Sequence, residues 1–119
     1  LIDDSIVRGT TIARIVRLLR NAGAKEVHVR SSAPKFLYPC YFGTDIDSQD
    51  NLVAWKHNDD ELKTMLDVDS LGFLSTANVT KLADNTKLDF CTGCFTGEYP
   101  CPIPPHAGRS KYSGRIREE

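Results

Sequence analysis

Apolar residues recur in this chain at two distinct periods. Ile12, Ile15, Val16 and Leu19 fall on one helical face, while Arg14, Arg17 and Arg20 fall elsewhere, which predicts an amphipathic helix with a solvated arginine face. Thr10 or Thr11 is placed to cap its start, and Gly23 stands where a helix-ending glycine belongs. Residues Lys25–Arg30 then alternate, with Val27 and Val29 on one side, as a strand does. Leu1 and Ile2 end a strand before the helix. Strand, loop, helix, strand makes a βαβ unit and implies a parallel sheet, hence an α/β fold.

Beyond residue 46 the pattern becomes patchier. Ser48–Ala54 reads as a short helix capped by Ser48 or Asp47. Asn58–Leu66 reads as a capped helix with Leu62, Met65 and Leu66 inward. Leu71–Leu74 is a short apolar run suited to an edge strand, and Ser75–Ala83 a final helix packing through Val79 and Leu82. Prolines dominate from Pro100, and residues 105–119 have the composition of a disordered tail. The expected division is therefore residues 1–46 as the βαβ part, 47–104 as a helical and cysteine-containing segment, and 105–119 as tail.

Composition narrows the classes. The 119 residues are 40% hydrophobic with a net charge of −1, so a core is possible and a nucleic-acid partner is not indicated. No apolar run approaches a membrane span and no signal peptide is visible, so a cytoplasmic location is expected. Two or three strands are few for a parallel sheet, and the first is almost missing, so the expectation is a C-terminal fragment of a larger protein.

The chemistry concentrates between residues 3 and 11. Gly9, Thr10 and Thr11 form a small-residue loop running into a helix, where backbone N–H groups can gather on a phosphate. Asp3 and Asp4 precede it and can accept hydrogen bonds from sugar hydroxyls or hold Mg²⁺. A plain turn whose aspartates cap the helix would explain the same residues without a ligand.

The order of the string is more specific than its chemistry. Asp3-Asp4-Ser5-Ile6-Val7-Arg8-Gly9-Thr10-Thr11 resembles the phosphoribosyl pyrophosphate (PRPP) loop of type I phosphoribosyltransferases, in the version found in glutamine PRPP amidotransferases. Tyr38-Pro39-Cys40-Tyr41-Phe42-Gly43 with Asp45, Asn58–Leu62, Leu71–Ser75 and Cys91–Pro100 follow in that family's order, so the resemblance covers about residues 1–100. It implies part of a type I phosphoribosyltransferase fold and part of an enzyme that forms 5-phosphoribosylamine from PRPP and glutamine-derived ammonia, the first committed step of purine synthesis. By the same resemblance Asp3 and Asp4 would hold the ribose hydroxyls and order Mg²⁺. Ser5, Ile6, Val7, Arg8, Gly9, Thr10 and Thr11 would bind the 5-phosphate. Purine nucleotides are then the expected feedback inhibitors, and a homo-oligomer the expected assembly. The family's glutaminase domain, its nucleophilic cysteine and its upstream PRPP-closing loops have no counterpart in these residues, so the fragment alone is expected to be inactive. Another type I phosphoribosyltransferase, or a PRPP-binding regulator without catalysis, would share the loop.

Four cysteines, Cys40, Cys91, Cys94 and Cys101, form the second constellation. The Cys91-x-x-Cys94 spacing lets two thiolates share a metal or cluster. The resemblance implies a [4Fe–4S] cluster on Cys40, Cys91 and Cys94, with the fourth thiolate upstream of Leu1, as in one branch of the family. A Cys₃His zinc site from Cys91, Cys94, Cys101 and His106 is a second reading, and free reduced thiols a third. His28 and His57 have no partner evident in the sequence. Trp55, Tyr38, Tyr41 and Phe42 read as core or as shielding for the cysteines.

Overall fold

A computed structural model describes residues 1–46, 48–83, 85–87 and 89–105. Most of the expected tail, with His106, lies outside the described residues, as does Asp47.

Three short strands, β1 (Ile2–Asp3), β2 (His28–Ser31) and β3 (Ser70–Phe73), form a parallel sheet in the order β1-β2-β3. Helix α1 (Thr10–Asn21) connects β1 to β2, so the βαβ unit expected from periodicity is present. A 3₁₀ turn (Gln49–Asn51), α2 (Val53–Lys56) and α3 (Asp59–Met65) lead into β3, and α4 (Thr76–Lys81) and α5 (Gly93–Thr96) follow. In register, Val29 stands beside Leu71 and Arg30 between Ile2 and Gly72.

The sheet buries one face. Val29 of β2 and Val27 just before it pack with Ile6, Ile12 and Val16 from the first loop and α1, and with Val53, Leu62, Leu66 and Val68. Burying each such side chain contributes roughly 1.5–3 kcal/mol. The alternate residues of the same strands, Ile2, His28 and Arg30, are exposed. A second, smaller cluster joins Phe36, Ile46 and Leu52, with Val7, Cys40, Cys94 and Phe95 packed against it.

Local sequence signals explain most element ends. Asn58 accepts from the Glu61 N–H while the Glu61 side chain accepts from the Asn58 N–H, closing a capping box on α3. Ser75 caps α4 and Ser48 the 3₁₀ turn. Gly23, at φ 96°, ends α1 with its N–H on the Arg20 carbonyl. The α1 start differs from expectation: Gly9, not Thr10 or Thr11, is the N-cap, at φ 76° and without a side-chain cap bond.

Three apolar residues expected to face inward do not. Leu19 is 37% exposed, Met65 48% and Leu82 78%. Helical spacing identifies residues that share a stripe but not how much protein lies opposite it.

Arg20 corrects the picture of a wholly solvated arginine face. Its guanidinium donates to the Lys25 and Asp67 carbonyls and to the Asp69 carboxylate at 2.8 Å. Asp69 also accepts the Val27 N–H at 2.7 Å, so Arg20 and Asp69 tie the end of α1 to the entries of β2 and β3. The Val27 N–H, then the hydrogen bond and charge of Arg20, hold the Asp69 pKa below its ordinary value against the opposing effect of burial.

Candidate functional site

The loop between β1 and α1 is fixed from both sides. Ile6 is 2% exposed and belongs to the large core, while Val7 packs into the small cluster. The Val7 carbonyl accepts the Val53 N–H at 2.9 Å. At the other end the Asp3 carbonyl accepts from the Ser32 N–H at 2.9 Å and from its hydroxyl at 3.2 Å. These contacts anchor the loop while leaving its backbone turned toward a cleft.

That cleft has a volume of about 460 Å³, within the usual range for a small-molecule site. Asp3, Ser5, Ile6, Val7, Arg8, Gly9, Thr10 and Thr11 line it, together with Ile12, Thr44, Asp45 and Ile46. Asp4 is exposed and is not part of the lining. Since the side chains of Ile6 and Val7 point into core, only their backbone can serve a ligand. The Gly9 carbonyl accepts the Ala13 N–H at 3.0 Å, the first bond of α1. The N–H groups of Thr10, Thr11 and Ile12 precede that bond, so they have no partner inside the helix. With Gly9 in the left-handed region and no side chain capping the helix, these donors are arranged for an anion, and the helix dipole favours it.

Residues Thr44–Ile46 form a wall of this cleft that the sequence reading did not assign. Gly43-Thr44-Asp45 is a turn signal, but nothing local indicates that the turn folds back onto residues 5–11.

Two of the four cysteines pack against the small cluster. Cys40 and Cys94 are partly buried against it; Cys91 and Cys101 are exposed, and all four are free thiols. The Cys94 carbonyl in α5 accepts the Leu37 and Tyr38 N–H groups at 2.9 and 3.1 Å, joining the two segments. Phe95 meets Phe36 edge-on with ring centres 5.0 Å apart. Tyr99 packs on Tyr41 and Phe42, and its hydroxyl donates to the Pro39 carbonyl at 2.6 Å. The aromatics near Cys40 thus pack around the cysteine segments, although Phe42 and Trp55 remain 45% and 50% exposed.

Two thiols differ in their electrostatics. Burial, then the nearby Cys40 and Cys91, push the Cys94 thiol up to about 11. Burial also acts against ionisation at Cys40, but hydrogen bonds from the Phe42 and Thr44 backbone, the Thr44 side chain and the Gly43 backbone outweigh it and lower that pKa. Burial, then Tyr41 and the thiols, raise Tyr99 to about 12.

Among the described residues no group of three or more His, Cys, Asp or Glu side chains gathers as if around one metal ion. The zinc reading needs that convergence, and its fourth ligand, His106, lies outside the described residues. A multi-iron cluster bound by one thiolate per iron places its ligands around itself, not at one point. Cys40 and Cys94 share the apolar backing of the small cluster, and backbone N–H groups turn to the Cys40 sulfur; Cys91 is exposed and does not pack into that cluster.

Known proteins resemble most of this chain in sequence and in fold. The chain is 45% identical to the amidophosphoribosyltransferase of Synechococcus elongatus over 111 residues, covering 93% of this chain and 22% of that protein. It is homologous to a part of the amidophosphoribosyltransferases. The solved glutamine PRPP amidotransferase from B. subtilis, complexed with ADP and GMP, superposes with a TM-score of 0.77 at 42% identity, over 89% of this chain and 24% of that one. A structure described as the allosteric regulatory enzyme of purine biosynthesis gives 0.79 at 43% identity, over the same shares. No family model matches. The chain spans about a fifth of the length of its curated amidophosphoribosyltransferase relatives, and the small parallel sheet with its helices has the α/β arrangement of the matching part. No helix among the described residues is long and apolar enough to cross a membrane.

Proposed function

We propose that this chain supplies part of the PRPP site of an amidophosphoribosyltransferase, which joins glutamine-derived ammonia to the ribose of PRPP. The observation that carries the reading is the Gly9 loop at the start of α1, opening with Asp3 onto one cleft. The N–H groups there and the hydroxyls of Ser5, Thr10 and Thr11 suit the 5-phosphate, and Arg8 adds positive charge at the rim. Asp3 and Asp4 suit the two ribose hydroxyls, Asp4 reaching in from outside the lining.

Ammonia attacks C1 of the ribose as the C1–O bond to pyrophosphate breaks; the bonding pair leaves with pyrophosphate and the nitrogen loses a proton. Such chemistry depends on position more than on covalent help. Mg²⁺, when bound, neutralises charge on the departing diphosphate, and Asp3 with Asp4 would hold it with the sugar. Cys40, Cys91 and Cys94 would hold three irons of a [4Fe–4S] cluster, the fourth thiolate coming from elsewhere in the whole enzyme; the group would serve structure, since the reaction moves no electrons between substrates. Purine nucleotides are proposed as inhibitors and a homo-oligomer as the working form, on the precedent that the B. subtilis relative binds ADP and GMP. Free thiols suit the cytoplasm.

The test is pyrophosphate release from PRPP and glutamine by the whole enzyme. Asp3→Asn and Asp4→Asn should each lower kcat/KM roughly a hundredfold, about 2.7 kcal/mol of barrier. Unchanged turnover in both variants would remove the assigned role.

A further inference from the structure

The wall formed by Thr44, Asp45 and Ile46 belongs to no helix or strand. Three hydrogen bonds give it shape. The Thr44 N–H donates to the Cys40 sulfur at 3.3 Å. The Cys40 N–H donates to the Ile46 carbonyl at 2.9 Å, and the Ile46 N–H to the Thr44 carbonyl at 2.8 Å. Two of the three end on Cys40. The Ile46 side chain, 3% exposed, anchors the far end of the turn in the small cluster, where Val7 of the phosphate loop and Cys40 also pack. One residue of the cysteine region therefore holds the second wall of the cleft, and the two walls share one apolar footing.

We propose that Cys40 is a positioning residue for the sugar-phosphate cleft: its sulfur and its backbone N–H hold the Thr44–Ile46 turn facing the phosphate loop, and PRPP binds tightly only with the turn so held. The sulfur can accept the Thr44 N–H as a free thiolate or while it ligates a metal group, so this role is separate from any cofactor it carries. Loss of the acceptor releases the turn from one side only, since Ile46 stays buried, so the effect is a weakened site and not a lost fold.

The proposal rests on reading the cleft as a PRPP site, and the experiment separates the two. Mg²⁺–PRPP is titrated calorimetrically into the whole enzyme and four variants, with iron content and melting temperature measured on the same samples. Cys40→Ala removes the acceptor and should raise Kd about five- to tenfold, the usual consequence of losing one such bond. Cys40→Ser keeps a side-chain acceptor and should recover most of that loss, although it is as poor in iron as Cys40→Ala. Thr44→Pro removes the N–H and Thr44→Val the hydroxyl that face the Cys40 sulfur, neither touching a cysteine; Thr44→Pro should raise Kd as Cys40→Ala does, beyond any effect of Thr44→Val, and keep its iron, and it carries the test if Cys40→Ala fails to fold. Equal weakening in Cys40→Ala and Cys40→Ser, in step with iron loss, would overturn the proposal. So would a wild-type Kd in Cys40→Ala or Thr44→Pro. Absence of PRPP binding in the unmodified enzyme would instead overturn the reading of the cleft.

Discussion

Residues 1–11 and residues 90–101 pack against the same small apolar cluster but are held in opposite ways. The first segment is strand, loop and helix, with Ile6 and Val7 locked into two apolar clusters and Gly9 supplying the one backbone conformation the helix start requires. The second has one short helix, and its place is set by contacts far away in sequence: the Cys94 carbonyl on Leu37 and Tyr38, Phe95 on Phe36, Tyr99 on Pro39. A ligand cradle made of backbone groups is written into a local string. The cysteine spacing is equally legible in the string, but what holds Cys94 near Cys40 is a set of contacts that only the folded chain makes.

The contrast can be broken at either end. Gly9→Val forces a β-branched residue to φ 76°, where left-handed backbone costs about 1–2 kcal/mol before crowding. The added carbons would also approach Val53 and Leu66, whose side chains already lie 3.5–3.6 Å from a Cβ there. A loss of PRPP affinity of at least about thirtyfold, roughly 2 kcal/mol, is expected by titration; wild-type affinity would show that the loop conformation does not matter.

Gly93→Ala attacks the other region. A Cβ at Gly93 would lie 2.3 Å from the Tyr99 ring, so the ring must shift and strain the bond of its hydroxyl to the Pro39 carbonyl. A stability loss of about 1–2 kcal/mol is expected in chemical denaturation, and an unchanged midpoint would mean that Tyr99 is not wedged there.

The smallest effect concerns the frame beneath the cradle. Because the Asp69 pKa is lowered on folding, its contribution to stability is present above the ordinary Asp value of 3.8 and is lost as pH falls through the lowered one. Asp69→Asn should therefore be less stable than wild type at neutral pH, with the gap closing in acid. A gap independent of pH would point to packing, not ionisation.

How much of this was legible follows the same division. The strand–loop–helix start of the βαβ unit, the α3 capping box and the Gly23 helix end each depend on residues within a few positions of one another, and each could be read from the string. The anchoring of Arg20 is not legible in the string because its carboxylate partner, Asp69, and the Asp67 carbonyl are more than forty residues away. Thr44–Ile46 was missed for the same reason: the turn is ordinary by itself and gains meaning only by facing residues 5–11. Leu19, Met65 and Leu82 show the converse limit, a periodicity that is correct and a burial that is not.

If Asp3, the Gly9 loop and the start of α1 cradle Mg²⁺–PRPP as proposed, titrating Mg²⁺–PRPP into the whole enzyme, beside Asp3→Asn at matched folding, will show it. Saturable, Mg²⁺-dependent binding that Asp3→Asn weakens at least tenfold is expected. Equal binding by both proteins, or none by the unmodified enzyme, would contradict it.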